Sequence, residues 1–128
     1  MSLSDYAEAK INDELNGKTA YTMPTIWIGL STADPGDDGA TLAEPVGNGY
    51  ARVETSGATW NAGALATNAA AIMFPTASGS WGTISHVVAF DAVSGGNIIR
   101  SGALTAPTAI TTNQIARFAT GALTTSAA

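Results

Sequence analysis

In the first seventeen residues, apolar side chains return at three- and four-residue steps, at Leu3, Tyr6, Ala7, Ile11 and Leu15, with Asp5, Glu8, Lys10, Asp13 and Glu14 between them. That spacing collects the apolar set on one stripe of an α-helix and the charges on the other side, so it predicts an amphipathic helix of roughly four turns. Ser2 or Ser4 can cap the first turn, Asp5 and Glu8 suit the positive end of the helix dipole, and Asn16-Gly17 offers a left-handed stop.

Beyond Pro24 the period changes to two. Ile26, Ile28 and Leu30 alternate with Trp27, Gly29 and Ser31, the pattern of a strand. Thr32 to Gly49 is rich in Asp, Pro and Gly and predicts a long surface loop. Further strands are expected at Tyr50 to Thr55, Ala70 to Phe74, Thr83 to Phe90, Asn97 to Leu104, Gln114 to Ala119 and Gly121 to Thr125. Ser78-Gly79-Ser80 reads as a turn, Asp91 to Gly96 as a hairpin connection, and Pro107 as an interruption before the last pair. Within Thr83 to Phe90, strict alternation puts Ile84, His86, Val88 and Phe90 on the core face and Thr83, Ser85, Val87 and Ala89 on the other.

Short strands at this spacing after a single helix predict a mainly β fold, an antiparallel β-sandwich or jelly-roll-like barrel with an N-terminal amphipathic helix. The expected organisation is one domain, 1–128, with a helical arm over 1–17 and a sandwich over 25–125. No heptads, collagen-like triplets or fixed-period repeats occur.

Composition narrows the function. Charged residues are 12% of the chain, about half the usual share, and the polar count rests on Thr, Ser, Asn and Gly. A surface of small neutral side chains is cheap to desolvate, which suits a chain covered by other chains and predicts a homo-oligomer, with a trimer favoured. Five Lys and Arg against a net charge of -5 argue against direct nucleic-acid binding. No apolar run is long enough to cross a bilayer, and Met1-Ser2-Leu3-Ser4-Asp5 lacks the basic and apolar parts of a secretion signal, so no membrane partner is expected and assembly is expected in the cytoplasm. With no cysteine there is no disulfide, thiolate nucleophile or thiolate metal site.

Candidate chemistry is sparse. His86 is the single histidine, and its strand parity places it among Ile84 and Val88 as a packed side chain. Ser85 precedes it, and alternation would send the two side chains to opposite faces, which forbids a triad. Asp34, Asp37, Asp38 and Glu44 crowd one loop, but without the spacing of an EF-hand; Asp side chains bonding nearby backbone N–H groups is the expected arrangement, with calcium as the alternative. Asp37 with Glu44 is the carboxyl pair a glycosidase reading would need. Gly47 and Gly49 read as a turn, because no helix follows to present amides to phosphate. Trp27, Trp60 and Trp81 are expected in the core or in subunit contacts, and some of Arg52, Arg100 and Arg117 in pairs with Glu54, Asp91 or Asp38. No catalytic, cofactor-binding or metal-binding residue is assigned, and the chain is not expected to be an enzyme.

Five blocks carry a resemblance: Leu3-Ser4-Asp5-Tyr6-Ala7-Glu8-Ala9-Lys10-Ile11, Leu30-Ser31-Thr32-Ala33-Asp34-Pro35-Gly36-Asp37, Gly49-Tyr50-Ala51-Arg52-Val53, Gly79-Ser80-Trp81-Gly82-Thr83 and Gly102-Ala103-Leu104. Across nearly its whole length the chain resembles a family of small tailed-phage virion proteins usually labelled phage tail fiber proteins. The label implies a fibre or host-binding role. A fibre shaft needs length from a long helix or repeats, which this chain lacks. A compact sandwich with a helical arm resembles phage head decoration, or cement, proteins. The expected function is therefore a capsid decoration protein packing across junctions of the major capsid protein or other virion proteins, with a tail-fibre or host-binding module as the alternative.

Overall fold

The structure is a computed structural model and describes residues 1–126; Ala127 and Ala128, the end of the expected 1–128 unit, lie outside it. The chain runs β1 (Ser2–Leu3), α1 (Asp5–Leu15), β2 (Trp27–Ser31), β3 (Val53–Glu54), a 3-10 turn (Gly57–Thr59), β4 (Leu65–Thr67), β5 (Ile72–Thr76), β6 (Gly82–Phe90), β7 (Ile98–Ile110), β8 (Ile115–Phe118) and β9 (Thr124–Ser126). Every strand pairing is antiparallel, in a five-stranded sheet ordered β1-β7-β6-β2-β3 and two ladders, β4-β9 and β5-β8. The fold is mainly β with one N-terminal helix, as expected, and its open sheets fit the sandwich form of that expectation.

One face of the large sheet carries the main core. Ile28 pairs with Ala89 and Leu30 with Val87, and this row packs with Ile72 and Phe74 of β5, Trp81, Ile84, Ile110 and Leu123. Phe74 and Trp81 meet edge-on at 6.4 Å, and Tyr50 meets Trp81 edge-on at 5.2 Å. Burial of these aromatic and branched side chains supplies the main drive to fold.

The opposite row, with Gly29, Ser31, Val88 and Phe90, is also enclosed. The 32–49 loop reaches it: Thr32 N donates to Ala43 O, and Ser31 Oγ donates to Ala33 O while accepting from Ala43 N.

Helix α1 starts at Asp5 behind Ser4, the second of the two caps the sequence offers, because Ser2–Leu3 is captured as an edge strand by β7. Ser4 makes the junction. Its Oγ accepts from Ala7 N as the N-cap and donates to Ile98 O, while its N–H donates to Ile99 O. The arm thus docks on its own sheet through Leu3, Ala7 and Ile99, with Tyr6 and Ile11 at the margin. Leu15, expected on the same stripe, is 81% exposed.

Several strand expectations shift, for identifiable reasons. Pro75 and Pro107 both lie inside strands, and both sit where the ladder skips. In β5 the pairing jumps from Met73↔Arg117 to Thr76↔Ile115; in β7 it jumps from Ala103↔His86 to Thr108↔Ile84, leaving Leu104–Pro107 opposite Ser85 alone. A proline lacks the N–H a regular ladder requires, and a bulge removes the requirement. Pro107 therefore does not interrupt the passage; β7 continues to Ile110. Tyr50 to Thr55 contracts to Val53–Glu54, since beyond Val53 the Tyr50 hydroxyl, not a backbone carbonyl, accepts from Leu30 N. Ala70 to Phe74 shifts to Ile72–Thr76, Gly121 to Thr125 shifts to Thr124–Ser126, and the short Ala/Thr strand Leu65–Thr67 was not anticipated.

The same skip corrects the reading of β6. Its residue opposite the excursion, Ser85, breaks the alternation, so that Ile84, Val87 and Ala89 share the main core while His86, Val88 and Phe90 share the other row.

Candidate functional site

The tightest polar arrangement joins the long loop to the sheet. Glu44 and Arg52 form a two-pronged pair, Nε to Oε2 at 2.8 Å and Nη2 to Oε1 at 2.8 Å. The remaining Arg52 nitrogen donates to Ala92 O and Gly95 O in the β6–β7 turn, at 2.8 and 3.0 Å. Tyr50 donates to Glu44 Oε2 at 2.6 Å, and burial together with that bond raises the phenol well above the ordinary range. A planar guanidinium with five fixed donors can serve a carboxylate and two carbonyls at once, which an ammonium cannot. Sequence reasoning offered Arg52 the acids Glu54, Asp91 and Asp38, and the structure pairs it with none of these.

Gly29 is set by this cluster. A Cβ there would lie 2.7 Å from the Tyr50 hydroxyl, 2.8 Å from Phe90 and 2.9 Å from Glu44 Oε2.

The acidic loop resolves into turns. Asp34 Oδ1 accepts from Gly36 N and Asp38 Oδ1 from Ala40 N, the expected local side-chain bonds. Among the described residues no group of three or more His, Asp or Glu side chains converges as a metal site. Both Glu44 oxygens are held by Arg52, so Glu44 is not a free carboxyl partner for Asp37.

Ser85 and His86 do not point apart. With the strand broken at Ser85, its hydroxyl lies 2.8 Å from His86 Nδ1, and Asp34 Oδ2 lies 3.9 Å from Nε2. The three residue types of a triad are therefore in a row, but Asp34 is 75% exposed and beyond hydrogen-bond length, so it does not orient the ring as the acid of a triad does.

Asn68 was not singled out by sequence reasoning. It is fully buried, donates from Nδ2 to Ala70 O and Ala119 O at 2.9 Å, and accepts at Oδ1 from Leu123 N. The 3-10 turn, β8 and β9 meet around it. Trp81 is buried and donates to Asn48 O, while Trp60 donates to Thr55 Oγ1 and faces a cleft.

Two openings lead to the sandwich interior. A cleft of about 320 Å³ is walled by Met1, Met23, Ile26, Trp60 and Ala66, with Arg100 among these apolar groups. A groove of about 550 Å³ runs between the β7 excursion and β8, over Leu30, Ile84 and Val87. Both are lined mainly by apolar side chains, and neither lining brings an acid and a base together.

No curated protein matches the chain. A family model described as podophage GP4 fiber I protein gp80 matches residues 2–126. The chain belongs to this phage fiber family, and it is a structural component of the virion.

Proposed function

We propose that the chain is a non-catalytic subunit of the fibre assembly on the phage tail, working by packing against copies of itself and neighbouring virion proteins. The observation that carries this reading is the match to a fiber I protein across residues 2–126, on a fold whose openings are apolar and whose polar clusters are internally bonded. Its low charge and small neutral side chains favour burial against partners, and a trimer is the favoured self-association. A compact module of this kind suits a joint or base of a fibre rather than a shaft.

One observation favours the other structural reading, capsid decoration. The described residues form a short sandwich with a single 11-residue helix and no element long enough for a shaft. A decoration protein would stabilise the head by binding only the assembled lattice of the major capsid protein.

Cryo-electron microscopy of particles labelled with a binder to this chain separates the two. Density at the tail supports the fibre assignment; density distributed over the head replaces it with decoration.

A further inference from the structure

We propose that the Arg100 cleft receives Glu14 and Leu15, the end of helix α1, from a second copy of the chain. The inference rests on the self-association reading above and names the surface that carries it.

Arg100 stands opposite Ala89, on the row of β7 that faces the sandwich interior. It is half-buried among Met1, Met23, Ile26 and Trp60, and among the described residues its guanidinium has no hydrogen-bond or ion-pair partner. Burial lowers its pKa, as expected of a cation held away from water. An unpaired guanidinium in an apolar wall is complementary to a carboxylate carried beside an apolar side chain.

The chain exposes few groups of that kind. The exposed large apolar residues are Leu15, Met23, Val46, Leu65, Met73, Val93 and Ile115. Met23, Leu65, Met73 and Ile115 have no acid close by in the sequence. Glu44, near Val46, is held by Arg52, and Asp91, near Val93, is held by the Asn97 backbone and side chain. Leu15 remains, with the exposed Glu14 beside it. Charge and apolarity thus match between this helix end and the cleft. Two different patches meet either reciprocally, in a two-fold dimer, or head-to-tail, and a head-to-tail rotation that closes makes a ring such as a trimer.

The test is a charge exchange in the full-length chain, read by sizing with light scattering over a concentration series, with circular dichroism confirming the fold. Arg100→Glu and Glu14→Arg should each weaken self-association at least about tenfold, and the double exchange should restore it. Glu14 is exposed at a helix end, so Glu14→Arg tests the contact even where Arg100→Glu disturbs folding. Self-association unchanged in Glu14→Arg, or not restored in the double variant, overturns this contact while leaving self-association to another surface. A wild-type chain that stays monomeric at every concentration overturns both.

Discussion

The guanidinium carbon of Arg52 lies 3.4 Å from the centre of the Phe90 ring, while the same group grips Glu44 and two carbonyls of the β6–β7 turn. One side chain thereby fastens three separate pieces of chain, the 32–49 loop, the last residue of β6 and the turn after it. Removing it leaves Glu44 without its partner in a largely desolvated place, at a cost of about 3 kcal/mol or more. Arg52→Met should show that loss in urea unfolding followed by tryptophan fluorescence. Arg52→Lys should recover only a minor part, since an ammonium cannot reproduce the fork.

Gly29→Ala tests the close approach over the same cluster. The added methyl would meet the Tyr50 hydroxyl, Phe90 and Glu44, all at under 3 Å, so the loop must move or the sheet must bend. We expect about 1–3 kcal/mol of destabilisation, the usual range for overpacking. A substitution that leaves the urea midpoint unchanged would show that the loop yields freely.

Asn68→Asp keeps the shape and inverts the chemistry. The two carbonyls now served by Nδ2, those of Ala70 and Ala119, would face an acceptor, and a carboxyl would be enclosed where no cation pairs with it. The cost of such unmet groups is about 2–5 kcal/mol, and thermal unfolding should fall steeply for Asp and less for Ala.

Alkaline pH should unfold the protein through its tyrosines. Burial and the bond to Glu44 raise Tyr50, and burial pushes Tyr21 up to about 12. An unfolded tyrosine loses its proton near pH 10, so the unfolded chain releases protons there while the folded one retains them. The stabilisation is complete below about pH 10 and is lost progressively above it. Urea midpoints measured from pH 9 to 11.5 should decline, and Tyr50→Phe, weaker at neutral pH, should decline less.

How much was legible in the sequence depended on whether local periodicity survived the fold. The helix, the Trp27–Ser31 strand and the turn from Asp91 to Gly96 follow from spacing and turn residues, and they are where the pattern put them. The sheet rows of β6 were misassigned because a ladder skip leaves no mark in alternation; Pro107, which signals it, reads equally as a strand end. Leu65–Thr67 is too short and too Ala- and Thr-rich to stand out. The Glu44–Arg52 pair joins a loop to a strand, and choosing among several acids needs three dimensions. The Arg100 cleft draws its walls from Met1, Met23, Trp60 and Ala66, far apart in sequence, so only the unusual cation within a strand hinted at it. The phage fiber resemblance, carried by blocks spread along the chain, agrees with the family match over residues 2–126.

The excursion at Leu104–Pro107 also guards an open rim of the large sheet. Among the described residues the rim of β7 past Ser101 has no neighbouring strand, and an unguarded rim is a template on which identical chains stack without end. Here the rim buckles and one of its residues has no amide hydrogen to offer. A strand added at this rim would meet that break, so amyloid-like growth is hindered there.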